Sequence, residues 1–109
     1  MEEISLDDFK KVEIQIGEIL SAEKIEGSDK LLKLVVNFGD HERQVLSGIA
    51  AFFPNPEELV GKKCPFVTNL APRVMMGLES QAMILATGGV DEVPFALFET
   101  NGTPGSRVH

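Results

Sequence analysis

The chain contains a single cysteine, Cys64, and neither tryptophan nor tyrosine. One thiol makes no intrachain disulfide, which argues against a secreted, bridge-stapled scaffold and a cysteine-rich zinc site and fits a reducing, cytoplasmic setting. The two histidines, His41 and His109, have no second ligand at metal spacing, so neither metal nor cofactor is expected. No apolar run approaches the roughly 18 residues of a membrane span, and the acidic start MEEISLDDFKK lacks the basic opening and apolar core of a signal peptide. Catalytic signatures are missing as well. Ser47-Gly48 has no accompanying base, no glycine-rich loop precedes a lysine-bearing helix, and Glu57-Glu58 reads as a solvated face. The expectation is a protein with no catalytic residues. Aromatic platforms for stacking single-stranded bases are scarce too: Phe38, Phe66, Phe95 and Phe98 read as strand core, and Phe52 and Phe53 as packing under a loop.

What is present is one domain's worth of chain, residues 1–109. A domain this small leaves much apolar surface exposed, and with no disulfide to help, oligomerisation is the natural remedy. The net charge of −7 runs against nucleic-acid binding, whose affinity rests on phosphate neutralisation. Its distribution is uneven, however. Residues 1–61 carry thirteen acids against six bases, whereas residues 62–109 carry four of each. Between Leu59 and Leu78 there is no acid, and Lys62, Lys63 and Arg73 fall in that window. A local basic surface on an acidic body is compatible with this pattern; a strongly basic binder is not.

Ser5-Leu6-Asp7-Asp8 offers a serine N-cap and first-turn acids, which predicts a short helix with Leu6 and Phe9 on one side. From Val12 the period becomes two: Val12, Ile14 and Ile16 share a face, and Gly17 permits a bulge or bend. Leu32, Leu34, Val36 and Phe38 alternate in a second strand, and Gly39-Asp40 turns into a third over residues 43–49. The pattern then predicts a loop with one helical turn over 50–61 and a fourth strand over 63–70. A glycine- and proline-bearing loop over 71–80, a fifth strand over 81–87, a last strand over 95–99 and a loose tail through Pro104-Gly105 complete it. Five main alternating strands with a helix-bearing third connection predict an all-β, five-stranded OB-fold barrel with a short N-terminal helix.

At Val45-Leu46-Ser47-Gly48-Ile49, and at Asn69-Leu70-Ala71-Pro72-Arg73 through Met76-Gly77, Ser80 and Met83, the chain resembles a known family. Phe9-Lys10-Lys11-Val12 and Gly27-Ser28-Asp29-Lys30-Leu31 extend the match, which runs from about Asp8 to the end. It is similar to the tRNA-binding domain appended to bacterial and archaeal methionyl-tRNA synthetases, with relatives in eukaryotic cytokine-precursor cofactors and free-standing tRNA-binding proteins. The resemblance implies an OB barrel, a homodimer built through the C-terminal extension and N-terminal segment, and sequence-tolerant binding at the outer corner of folded tRNA. The catalytic subunit or domain of a methionyl-tRNA synthetase is the implied further partner. Carried over by position, the RNA-facing residues are Lys30, Lys33, Ser47, Asn69, Arg73, Ser80 and Met83. Gln15 stands where the family usually has a basic residue, and Ala82 where it usually has glycine.

Each of these residues also has a plainer reading. Lys33 is an outward strand lysine, Asn69 a strand-end cap, Met83 a core residue, and Lys30 the partner of Asp29 in a local ion pair. With three to five phosphate contacts, log affinity falls with log salt at a slope of about −2 to −4. The rival functions are a dimerisation scaffold, which the acidity, Gln15 and Ala82 favour, and a chaperone-like export factor.

Overall fold

A computed structural model describes all 109 residues, Met1–His109. Helix α1 (Leu6–Lys10) begins as its cap residue dictates: Ser5 Oγ accepts from the Asp8 N–H at 3.0 Å, and Asp7 and Asp8 occupy the first turn. Strands β1 (Ile14–Lys24), β2 (Leu32–Asn37) and β3 (Glu42–Ser47) follow. Two 3-10 turns, Ala50–Phe52 and Pro56–Leu59, lead into β4 (Lys63–Val67), and then come β5 (Arg73–Met75), β6 (Leu78–Ser80), β7 (Met83–Ile84), β8 (Ala86–Thr87) and β9 (Ala96–Leu97). No helix is long and apolar enough to cross a membrane.

The main sheet is antiparallel with order β3-β2-β1-β4-β7. β1 is long because it serves two partners: Ile14–Glu18 pair with β4 and Glu18–Lys24 with β2. A bulge between Ile19 and Ser21 adds twist at the hand-over, so the sheet curls into a half-barrel. The β3 edge is tied down by the end of β6 and the residue that follows it. Gln81 N–H donates to Gln44 O at 2.9 Å, and Leu46 N–H donates to Ser80 Oγ at 3.0 Å. This is the expected all-β, OB-like architecture.

Period-two burial builds the core. Leu32, Leu34, Val36, Phe38, Val45 and Ile19 line its β1–β3 side, Cys64 and Phe66 come from β4, Ile84 from β7, and Leu59 enters from the second 3-10 turn. Phe38 meets Phe66 edge-on, with centroids 5.4 Å apart. Gly17 lies beneath this pair. A Cβ there would sit 2.8 Å from Phe38 Cε1 and overlap Val36 Cγ1, so the glycine is demanded by packing. The bulge or bend expected at Gly17 is a bulge, and it falls a few residues later, between Ile19 and Ser21. Consequently the face shared by Val12, Ile14 and Ile16 is not the barrel interior. Ile16 lies outside the main cluster and is covered by the tail, where Gly102 approaches its Cγ1.

Other expectations change for local reasons. The 71–80 loop is a hairpin, β5–β6, whose turn uses Met76 and Gly77 at positive φ. The fifth strand is broken into β7 and β8 and the fourth stops at Val67, while Phe98 is half exposed rather than core. The tail is bonded, not loose. Gly105 N–H donates to Ile16 O at 2.7 Å, Ile16 N–H to Ser106 O at 2.9 Å and Val108 N–H to Ile14 O at 2.8 Å. These satisfy the β1 edge that β2 leaves unpaired, a demand that buried backbone makes everywhere.

Candidate nucleic-acid interface

The outward positions of β2 and β3 meet the β5–β6 hairpin on one side of the half-barrel. Lys33 is opposite Leu46, and Ser47 is opposite Leu32 at the end of β3. The hairpin hangs on β3 through Gln44 Nε2, which donates to Glu79 O at 2.9 Å, and its turn reaches the β1–β2 loop, where Met76 Cε lies near Gly27. Between hairpin and strand lies an open, mainly apolar cleft of about 110 Å³. Leu46 forms its floor, Leu70, Met75 and Met83 its walls, and Arg73 and Ser80 its polar groups.

Three of the seven expected residues, Arg73, Ser80 and Met83, therefore meet in one cleft. Met83 is 47% exposed, not the core residue its strand pattern suggested, because β7 runs along the sheet's rim. Arg73 is exposed and takes part in none of the chain's ion pairs. Ser47 is half-buried at the same end of β3, and Lys30 is bound to the next turn through its backbone, since Ala50 N–H donates to Lys30 O at 3.0 Å. Lys30 has no ion-pair partner, so the local pair with Asp29 does not form. Lys33 does have one: its Nζ lies 2.9 Å from Glu23, the residue across from it on β1.

Two of the seven have structural employment. Ser80 is buried, and its hydroxyl accepts from Leu46 N–H while donating toward Ala82 O at 3.2 Å. Asn69 spans to the N-terminal segment: Oδ1 accepts from Glu13 N–H at 2.8 Å and Nδ2 donates to Lys11 O at 2.6 Å. Gln15, at the departure from the family pattern, turns to Glu13 at 3.3 Å. Of the expected cations, Arg73 at the cleft and Lys30 on the β1–β2 loop are thus without an ion-pair partner.

Sequence reasoning missed Arg43, which closes one end of the half-barrel. Its Nη1 donates to Thr68 O at 2.6 Å and Gln81 O at 3.1 Å, and its guanidinium lies over the Phe38 ring. Arg43 Nε donates to His41 Nε2 at 3.0 Å, while His41 Nδ1 faces Asp40, holding that carboxyl below its ordinary value chiefly by hydrogen bonding. His41, though exposed, is thus tied to both Asp40 and Arg43. The signal was its spacing from Phe38 and Arg43, which becomes readable only once the turn is known.

On another surface, Leu6, Phe9, Val12 and Val108 are all exposed and border a groove of about 480 Å³ between α1 and the tail. Cys64 is buried, and that burial pushes its thiol up to about 11, with Glu99 adding to the effect and Lys62 opposing it. It is no nucleophile at neutral pH.

Residues 14–107 match the protein family described as "Putative tRNA binding domain". The methionine–tRNA ligase of Methanospirillum hungatei is 57% identical over 106 residues, which are 97% of this chain and 16% of the ligase. The chain thus spans about one-sixth of the length of the curated relatives it matches. A crystal structure of a MetRS-related protein from Pyrococcus horikoshii superposes with a TM-score of 0.92 at 40% identity, covering 100% of both chains. The chaperone CsaA of Bacillus anthracis shares the fold, with a TM-score of 0.84 at 23% identity over 99% of this chain and 100% of the other.

Proposed function

The chain belongs to the tRNA-binding domain family, and on that premise we propose that it holds folded tRNA by shape and phosphate contacts, as an accessory module of a methionyl-tRNA synthetase. The part of the ligases that it matches is the tRNA-binding part, which is non-catalytic. The observation that supports the binding mode is the convergence of Arg73, Ser80 and Met83 on one cleft, with Ser47 next to the cleft residue Leu46 on β3. Arg73 and Lys30 supply cations to phosphate, and Ser47 supplies a hydroxyl. Met83 supplies apolar contact. Lys33 joins them by exchanging Glu23 for a phosphate, a small loss for an exposed pair. Ser80 and Asn69 act through the fold, fixing the cleft wall and the N-terminal segment.

With so few free cations, binding is of modest affinity and salt-sensitive, and shape does the discriminating. The groove between α1 and the tail is the surface through which two copies pair, since pairing covers four exposed apolar side chains in a domain short of core. A dimer links two tRNA sites and two catalytic partners at high effective concentration. A buried, reduced Cys64 fits a cytoplasmic workplace.

The test is a gel-shift titration with folded tRNA, heat-unfolded tRNA and a single-stranded RNA of equal length, each at two salt concentrations. Folded tRNA is expected to bind tightest, with a log–log salt slope of about −2 to −4. Equal binding to all three, or none, removes this function. It would leave the dimerisation scaffold, the second reading that the Lys33–Glu23 pair and Gln15 favour.

A further inference from the structure

The cleft between β3 and the β5–β6 hairpin has a composition that a phosphate site does not need. Its walls and floor are apolar, with Leu70 and Met83 about half exposed. Its one polar floor group, Ser80 Oγ, is already occupied by Leu46 N–H at 3.0 Å and Ala82 O at 3.2 Å. At its rim stands the unpaired guanidinium of Arg73. A solvated phosphate gains nothing from such a floor. A flat apolar ring attached to an anion gains from both parts.

We propose that the cleft receives one unstacked nucleobase of the bound RNA, with Arg73 holding the phosphate of the same nucleotide. The proposal rests on the tRNA-binding reading and deepens it. The dimensions admit one edge of a planar heterocycle: about 110 Å³ is less than the ~150 Å³ of an enclosed apolar cavity that takes up benzene, so the base enters in part and the remainder lies at the open side beside Arg73. Met75 and Met83 place thioethers on the walls, and methionine sulfur contacts aromatic edges favourably. This supplies in part the ring contact that the missing Trp and Tyr would otherwise provide. Because Ser80 is spent within the fold, no free donor or acceptor on the floor reads a base edge. The cleft therefore senses that a base is extruded without sensing which base it is, which gives selectivity for folded RNA with looped-out nucleotides over a duplex.

The test pairs a protein change with an RNA change. Ala71 is exposed on the cleft rim, so Ala71→Leu fills the cleft without entering the core, and unchanged thermal unfolding verifies the fold. A panel of folded tRNAs, each with one unpaired loop nucleotide made abasic, is titrated against wild type and variant. Filling the cleft is expected to weaken wild-type tRNA binding about tenfold with the salt slope unchanged. One abasic position should cost wild type a similar factor and cost Ala71→Leu almost nothing, while a different base at that position is tolerated. Arg73→Ala should instead lower the salt slope by about 1. If Ala71→Leu binds as wild type does while Arg73→Ala still flattens the slope, base insertion is overturned and tRNA binding survives. If wild type binds no folded tRNA, both readings fall. If every abasic tRNA binds normally and a phenylalanine-rich peptide displaces tRNA from wild type but not from Ala71→Leu, the cleft is a peptide site and the proposal is overturned.

Discussion

Arg73 and Asn69 look alike on a list of polar residues near one loop, yet the structure gives them opposite energetics. Arg73 is exposed and unpaired, so its replacement should leave stability within a few tenths of a kcal/mol while weakening RNA binding and flattening its salt dependence. Asn69 makes two backbone hydrogen bonds to the N-terminal segment, so Asn69→Ala should cost about 1–2 kcal/mol by denaturant titration. Its salt slope should match wild type; a flattened slope with intact stability would return Asn69 to the RNA. Cys64 offers a pH test. The folded thiol titrates at about 11 and the unfolded one near 9.0, so the unfolded chain loses its proton first as pH rises. The stability this protonated thiol contributes is intact below about pH 9 and is lost progressively toward pH 11, in total about 2 to 3 kcal/mol. Cys64→Ala, whatever its stability at neutral pH, should lose less than wild type between pH 8 and 11. Equal alkaline losses would contradict the assignment.

At the scale of elements, β1 shows how a correct pattern can be given the wrong partner. Alternation at Val12, Ile14 and Ile16 was legible, but alternation gives a face and not what covers it. The tail covers it, through backbone bonds that leave no trace in composition. Gly17, read as permitting a bulge or bend, is an interior position under Phe38 and Phe66, so Gly17→Ala should destabilise by about 1–3 kcal/mol through overpacking. Thermal unfolding measures that directly, and a neutral result would mean the two rings relax freely. The hairpin β5–β6 was hidden for a different reason. Its strands are three residues each, and the Met76 in its turn holds a positive φ that sequence rules assign to glycine or asparagine. By contrast the β2 strand, with buried residues at every second position, stood out from sequence alone. For the site, the resemblance identified Arg73, Ser80 and Met83, which converge. It could not separate residues that face solvent from residues such as Ser80 that hold the seam, because both are fixed by the same three-dimensional arrangement.

The whole molecule is acidic and small, and it carries two mainly apolar recesses: a cleft with an arginine in its lining and a bare groove between α1 and the tail. They are joined through Asn69, which is hydrogen-bonded to the segment after α1 and precedes Leu70 of the cleft. The proposed pairing through this groove predicts a dimer in sedimentation equilibrium that Phe9→Glu or Val108→Glu converts to a monomer with the fold intact, and a wild type that is monomeric would remove the pairing. A variant that stays dimeric would move the interface elsewhere. The monomer should bind each tRNA with unchanged salt slope and weaker avidity, since no phosphate contact is removed. The measurement that bears most directly on the central claim uses the protein's own methionines. Three of the four, Met75, Met76 and Met83, lie on or beside the cleft, and Met1 is fully exposed elsewhere. With carbon-13-labelled methionine methyl groups and folded tRNA added at low salt, the resonances of Met75, Met76 and Met83 should shift or broaden together while Met1 stays put. Unmoved cleft methionines under saturating tRNA would contradict the account.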